Sequence, residues 1–411
     1  MTAPQAQTQI QRLRQAIEPH VPELEATAAL SFGLFLLAGS FKQADLLSWI
    51  PFDLTVAFLA ICGLAALGLV VVDPRRLRGL RGGLLLALVF VLFAAGLFGS
   101  EPGYGHSKVI RLYTVTLFAA GAPFVIVATA ETRRLLLRTF LVVGLVLAVV
   151  AFVAYAFGDP RPRRLRVPGT NEATVGRTAA LALAALLAMP LRSLDRRLRI
   201  ALTGLVAAGL VFAGSLAPML GVMVTVAVLG FRGAFRVEWR AIIRVSAFLA
   251  ATFTLLVLVG PIDSAGRIIQ FAGGNVGESG TARLDAFSSS VEVVGQEPLG
   301  IGWGEFSNEV EVEVWEGFDR QFAHNIVIEV LLEAGWVPGV VFSAVVVMAL
   351  MTAVRAGRED ETVEGVLAVL VLALVIALFS GDVNDNRVLF AALGMAFALE
   401  LGVPGSTGDA S

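Results

Sequence analysis

The sequence predicts an all-α protein, a polytopic transmembrane helical bundle of about twelve spans. Two observations on composition and patterning support this class, and the cysteine count excludes two others. The 411 residues are 57% hydrophobic and only 16% charged, whereas soluble domains carry about 25% charged residues. Apolar runs recur along the whole chain, each close to the ~20 residues that cross a bilayer. The single cysteine, Cys62, excludes an intramolecular disulfide framework and a thiolate metal cluster.

The predicted spans follow one another with short connections, except before the tenth. Their approximate cores are 24–41, 51–72, 82–99, 109–130, 135–157, 177–191, 199–214, 216–231, 241–260, 336–354, 365–380 and 388–403. The weakest division is the turn GSLAP at Gly214–Pro218, without which spans seven and eight would be too long for one crossing. Because Met1–Val21 is polar, no cleavable signal sequence is expected.

The distribution of Arg and Lys predicts the orientation. Loops on the side of the two termini hold most of the 31 basic residues, so both termini are expected in the cytoplasm. The predicted regions are a cytoplasmic tail at 1–23, spans one to nine at 24–260, an extracytoplasmic loop at 261–323, an interfacial helix with spans ten to twelve at 324–403, and a cytoplasmic tail at 404–411.

One predicted outer loop, residues 158–177, breaks this charge rule. Its arginines are Arg161, Arg163, Arg164, Arg166 and Arg177. Guanidinium groups match phosphate oxygens with two parallel hydrogen bonds. The loop therefore predicts an anion site on the outer face, although lipid-headgroup contact or a different topology would also explain it.

The long outer segment is expected to contain short amphipathic helices. Thr281–Val294 predicts one such helix lying on the membrane domain. Its apolar residues at helical spacing are Leu284, Phe287, Val291 and Val294. The sequence QEPLGIGWGEF at Gln296–Phe306 indicates a Pro/Gly turn and lacks the spacing of a dinucleotide fingerprint. Glu309–Glu316 fits both a strand and one face of a helix.

A histidine and an asparagine precede an apolar helical stretch in QFAHNIVIEVLLEAGWVPG, residues 321–339. A helix N-terminus disfavours a cation, so His324 is expected to stay neutral near pH 7 and to accept a proton. Asn325, Glu329 and Glu333 fall on one helical face, and carboxylates at membrane depth predict a polar pocket or arginine partners. A simple capping role for His324 is the alternative.

Two further polar groups are weaker candidates. His106 precedes Lys108 and Arg111 and is either a second polar contact or a surface histidine without a role. Asp382 and Asp385 lie in GDVNDN, which favours a connecting turn over a site for a hard cation.

The motifs from about Gly280 to Gly339 resemble the O-antigen ligase and polymerase family of bacterial membrane glycosyltransferases. The resemblance rests on Arg283 at the start of an outer helix, the PLGIGWGEF turn, the HN pair and the LLEAGWVPG stretch. RVPGTNEAT at 166–174 is similar to the family segment before the sixth span. Leu216 stands where the family often has the arginine of a serine-arginine-glycine turn, which puts the usual phosphate clamp in doubt.

The resemblance implies transfer of a glycan from an undecaprenyl-type polyprenyl diphosphate to a sugar hydroxyl at the outer face of the bacterial cytoplasmic (inner) membrane. The acceptor would be the lipopolysaccharide core or a growing polysaccharide, without a cofactor, metal or nucleic acid. The expected residues are His324 as catalytic base, Arg166, Arg283, Arg163 and Arg164 for the donor diphosphate, and Asn325, Glu329 and Glu333 for orientation or acceptor binding. A repeat-unit polymerase and a glycan or lipid transporter are the alternatives.

Overall fold

A computed structural model describes residues 15–158, 164–189, 195–232, 277–310, 322–356 and 360–399, with a few isolated positions between them. Throughout these ranges the chain forms helices and turns and no strand. The predicted all-α class is therefore confirmed for the described residues.

We number the main helices of these ranges α1 to α13 in chain order and leave short turns unnumbered. The first seven are α1 (Val21–Phe41), α2 (Leu54–Val72), α3 (Leu80–Phe93), α4 (Tyr104–Ile126), α5 (Ala130–Phe157), α6 (Glu172–Ala188) and α7 (Arg196–Ala213). The others are α8 (Leu216–Phe231), α9 (Gly277–Gln296), α10 (Ile326–Glu333), α11 (Trp336–Arg355), α12 (Glu361–Phe379) and α13 (Arg387–Leu399).

Polar residues before the apolar runs set where several helices begin. A side-chain oxygen at the N-cap accepts a hydrogen bond from a backbone N–H that has no partner within the helix. The residues that do this are Asp53 for α2, Thr129 for α5, Asn171 for α6, Asp195 for α7, Asn325 for α10 and Asp360 for α12. Gly214 ends α7 in the left-handed conformation, with φ 63°. The predicted division between spans seven and eight is confirmed.

Each predicted span other than the ninth coincides with a helix, and the ninth, at 241–260, lies outside the described residues. Among the described residues, six helices are long and apolar enough to cross a membrane: α1, α2, α4, α5, α11 and α12. Shorter apolar helices occur at α3, α8 and α13. The total of twelve crossings stays a prediction.

Helix α12 lies at the centre of the described bundle and α2 at its edge. Within an apolar stretch of 18 residues in each helix, 78% is buried in α12 and 28% in α2. Helix α12 packs against α6, α8, α11 and α13. The exposed side of α2 is apolar and includes Val56, Leu64 and Leu67, as expected for a helix that faces lipid rather than water.

The predicted outer helix at Thr281–Val294 is present as α9, but its orientation differs from the prediction. Leu284, Phe287 and Val291 are exposed, while Ala286 and Ser290 are buried against the rest of the protein. Small residues allow α9 to approach α10 closely, so the side with the larger apolar residues faces outward. The helix lies against α10, and Val294 packs against the core there, but the predicted burial of Leu284, Phe287 and Val291 is wrong.

Other predicted regions fall largely outside the described residues. These are most of the tail at 1–23, the tail at 404–411, part of the loop at 261–323, and Glu309–Glu316 beyond Val310.

Candidate active site

The start of α10 places His324 in an unusual backbone conformation. Asn325 is the N-cap of α10, and its Oδ1 accepts hydrogen bonds from the backbone N–H groups of Val327 and Ile328, at 3.0 and 3.1 Å. His324 precedes this cap with φ 53° and is the one non-glycine residue with positive φ in the described part of the chain. Such conformations cost free energy and cluster at functional sites.

The surroundings of His324 favour its neutral form. Burial, followed by the positive charges of Arg283 and Arg177, lowers the pKa of His324 to about 4. Its Nδ1 is buried and has no hydrogen-bond partner within the described ranges, and its ring lies 4.3 Å from that of Phe322, measured between centroids. The lowered pKa agrees with the expected neutral imidazole, and its cause is burial with two arginines rather than the helix N-terminus.

Two arginines from different helices converge on the C-terminal end of α12. Arg177 of α6 donates from Nη2 to the hydroxyl of Ser380 at 2.9 Å, and Arg283 of α9 donates from Nη1 to the carbonyl of Phe379 at 3.3 Å. The last carbonyls of a helix lack helical partners and carry partial negative charge. This end of α12 therefore holds two guanidinium groups close to His324.

The turn after α12 adds carboxylates to this region. Residues 380–386 form a hydrogen-bonded turn, in which the Oδ1 of Asp382 accepts from the backbone N–H of Asp385 at 2.7 Å. Burial and the Asp382 carboxylate raise the pKa of Asp385, and Arg177 opposes them. A cavity of about 40 Å³ beside Arg177 and Asp385 is otherwise lined mainly by apolar residues. The predicted connecting turn is confirmed.

The two glutamates of α10 are paired with a lysine. The Nζ of Lys108 lies 2.7 Å from Oε1 of Glu329 and 2.5 Å from Oε2 of Glu333. The side chains are 2% exposed for Lys108 and 0% for each glutamate. Neither carboxylate is accessible to an acceptor sugar in this position, and the partner is a lysine of α4 rather than the expected arginine.

The PLGIGWGEF turn is built into the protein beside these glutamates. Its Gly302 has φ 101°, and a Cβ at this position would lie 2.5 Å from the carbonyl carbon of Gly99. Trp303 is fully buried and donates from Nε1 to the carbonyl of Phe93 at 2.9 Å. The backbone N–H of Gly304 donates to Glu333 at 3.1 Å. The glycines of this motif thus allow close backbone packing.

The arginines predicted in the 158–177 loop have different surroundings. Arg164 forms an ion pair with Glu172. Arg166 is exposed, and the charges that act on His324 do not include it. Arg161 and Arg163 lie outside the described residues. Of the arginines expected at the donor diphosphate, the structure places Arg283 beside His324.

Part of the chain that includes His324 and Arg283 matches a known protein family. Residues 201–344 match the profile of the O-antigen ligase family. The resemblance to O-antigen ligases is confirmed. The O-antigen ligase segment runs from α7 into α11 and contains His324 and Arg283, while Arg177 and Lys108 precede it. No match was found among curated proteins. The apolar helices and the O-antigen ligase match together indicate a multi-pass membrane protein.

Sequence reasoning included Arg177 in the predicted anion loop without assigning it to the donor diphosphate, and it missed Lys108 as a functional candidate. Arg177 was counted among the loop arginines, yet it lies in the second turn of α6, at the start of the predicted sixth span. A charged residue within an apolar span indicates a functional site, and this signal also applies to Lys108 in α4.

Proposed function

We propose that this protein transfers a glycan from a polyprenyl diphosphate to a sugar hydroxyl, with His324 as the general base. The observation that supports this most is the position of neutral His324 beside the guanidinium groups of Arg177 and Arg283. A base and fixed cations are the two requirements of a displacement in which a diphosphate leaves. The match to O-antigen ligases agrees with this chemistry.

In the proposed donor complex, Arg177 and Arg283 contact the diphosphate oxygens. The bond between the anomeric carbon and the diphosphate oxygen breaks, and its electron pair stays on the leaving diphosphate. Guanidinium groups that are already held in place stabilise this charge with little reorganisation. We assign Arg166 an outer contact with the same anion because it is exposed in the neighbouring loop, and Arg164 a weaker one because Glu172 already pairs with it. Arg163 stays a candidate from the sequence.

In the proposed acceptor step, the acceptor hydroxyl oxygen attacks the anomeric carbon and its proton passes to His324. An imidazole with a pKa of about 4 is neutral at physiological pH and therefore available for this role. Asn325 contributes as the N-cap of α10, which fixes where this helix begins directly after the base. The single displacement would invert the anomeric configuration.

The proposed location of this reaction is the extracytoplasmic face of the bacterial inner membrane. There the polyprenyl tail lies in the bilayer and the glycan extends into the aqueous space. The acceptor would be the lipopolysaccharide core for a ligase or a growing chain for a repeat-unit polymerase. Deleting the gene distinguishes these two: loss of a polymerase leaves single repeats attached to the core, whereas loss of a ligase leaves none.

The test of this function uses purified protein in detergent with a lipid-linked glycan and an acceptor. We expect product without a sealed compartment, which a transporter would require, and expect a chelator to leave the rate unchanged. His324→Ala should reduce transfer by roughly 10²–10⁴-fold, the usual contribution of a general base. His106→Ala is the matched control because His106 is an exposed histidine in the first turn of α4. Near-normal transfer by folded His324→Ala protein would refute the proposal.

A further inference from the structure

Lys108 is the point at which three parts of the site meet. Its Nζ pairs with Glu329 and Glu333 of α10 and lies 5.5 Å from the centre of the Trp303 ring in the glycine-rich turn. Its own helix is α4. All three charged groups are almost completely buried, so water does not screen their interaction.

The backbone of Lys108 makes a second connection. Its carbonyl accepts a hydrogen bond from Nδ2 of Asn384 at 3.0 Å, and Oδ1 of Asn384 accepts from the hydroxyl of Thr116 at 2.9 Å. Between these two contacts, Leu112–Thr116 forms a π-helical turn of α4. Such wider turns frequently occur at functional sites. Asn384 belongs to the turn after α12, close to the groups that bind Arg177 and Arg283.

We propose that Lys108 is a positioning residue that fixes the distance between His324 and the two site arginines. Its ammonium group holds α10, whose first residues follow His324, and its carbonyl holds the turn that follows Ser380 and Phe379. This inference rests on the proposed function, because it assigns His324 and the arginines to one reaction. A small displacement between a base and a bound donor can lower a rate by about 10²-fold.

The charge composition of this cluster agrees with positioning rather than simple stabilisation. Two carboxylates share one ammonium group, and buried ion pairs generally add little stability compared with apolar residues of the same volume. What such a cluster does provide is one defined arrangement of its helices, because any other leaves a buried charge unpaired. His324, with its positive φ, depends on a rigidly held α10.

The main test is the neutral variant Lys108→Met/Glu329→Gln/Glu333→Gln, which removes all three charges and keeps similar volumes. We expect kcat to fall about 100-fold, while KM for the donor changes by less than about threefold because the arginines still bind the diphosphate. The matched control is Arg232→Met/Glu364→Gln, which removes a buried ion pair between α8 and α12. Its kcat should stay within about twofold of the wild type, with a similar change in thermal stability.

A second variant covers the case in which the triple variant does not fold. Glu329→Gln leaves one carboxylate for Lys108 and removes the contact closer in sequence to His324. We expect normal folding, unchanged donor KM and a kcat about tenfold lower. Wild-type kcat in Glu329→Gln, or in the folded triple variant, would overturn the positioning role.

The combination with His324→Ala separates this inference from the proposed function. If Lys108 acts through His324, the neutral triple should reduce the residual activity of His324→Ala by less than about threefold. A reduction as large as in the wild-type background would identify Lys108 as merely structural. If His324→Ala itself is fully active, the proposed function fails. If His324→Ala loses transfer activity but the neutral triple variant keeps it in full, the positioning role alone is refuted.

Discussion

The two ends of the helix bundle hold their arginines in different ways. At the end where α1 begins, arginines face carboxylates in the pairs Arg76–Glu25, Arg133–Asp360 and Arg232–Glu364. At the other end, Arg177 binds a serine hydroxyl and Arg283 a backbone carbonyl. An ion pair neutralises its arginine, whereas the Ser380 hydroxyl orients the guanidinium group of Arg177 without adding a negative charge. The ion pairs at the first end join helices. Arg164 and Glu172 also form an ion pair at the second end, whereas Arg177 and Arg283 are the groups that the proposed function assigns to the donor diphosphate.

The carboxylates at the site end support the same distinction. Glu329 and Glu333 are paired with Lys108, whereas Asp382 and Asp385 act on Arg177 from the turn after α12 without an ion pair among the described residues. Charge at this end is therefore separated into the cluster of Lys108, Glu329 and Glu333 and a second group around Arg177 and Asp385.

The largest difference between the ends should appear when one arginine of each is removed. Arg177→Ala should lower transfer by about 10²–10³-fold, as does loss of one group that stabilises a developing oxyanion. Arg133→Ala, the matched variant at the other end, should lower it by less than about threefold, because Arg133 pairs with Asp360 and lies outside the proposed site. We would measure initial rates with purified variants. Equal losses in both variants would remove the functional difference between the ends.

The glycine-rich turn allows a test of stability at the site end. Gly302→Ala combines φ 101° with a Cβ only 2.5 Å from the backbone of Gly99, so it should destabilise the fold by roughly 1–3 kcal/mol and lower the melting temperature in detergent. Gly295→Ala is the control because no atom would lie within 4 Å of its Cβ. Similar melting temperatures for both variants would show that the backbone of the turn accommodates the added Cβ without loss of stability, which would contradict this prediction.

The pH dependence of transfer tests how the arginines act on His324. Only the neutral imidazole accepts a proton, so kcat/KM should stay constant on acidification until the pH approaches about 4. Arg283→Gln removes a positive charge that disfavours protonation, so its decline should begin at higher pH. Arg133→Gln should leave the profile unchanged. A wild-type midpoint near the ordinary value of about 6.5 would contradict the described burial of His324.

The smallest effect is expected for the outer loop of the site end. Arg166→Ala should weaken donor binding by less than about tenfold, since an exposed guanidinium group contributes about 1 kcal/mol. Arg166→Lys should bind almost as well, in contrast to Arg177→Lys, which loses the two-pronged geometry of the guanidinium group. Donor titrations with these variants would measure this. An Arg166→Ala effect as large as that of Arg177→Ala would place the donor nearer the loop.

Helices and caps were predictable from the sequence because they depend on local patterns. Apolar runs predicted the helices, and the turn that contains Gly214 predicted the division between α7 and α8. The face of α9 was not predictable, because close packing through Ala286 and Ser290 outweighed the larger apolar residues on the opposite side. Periodicity identifies an amphipathic helix but does not state which surface covers it.

The site was predictable where one short segment contains it. His324 and Asn325 are neighbours, and their position at a helix start follows from the pattern after them. The pairing of Lys108 with Glu333 and the approach of Arg177 to Ser380 join residues that are far apart in the sequence. No local pattern encodes such contacts, which depend on how α4, α6, α10 and α12 pack together.

The most direct test of the central claim separates donor binding from transfer in the same purified variants. We would measure the equilibrium binding of a fluorescent polyprenyl-diphosphate glycan and its transfer rate for His324→Ala, Arg177→Ala and Arg283→Ala. The account predicts that His324→Ala binds the donor normally and fails to transfer it, while both arginine variants bind it at least tenfold more weakly. Normal donor binding by both arginine variants, or normal transfer by His324→Ala, would contradict it.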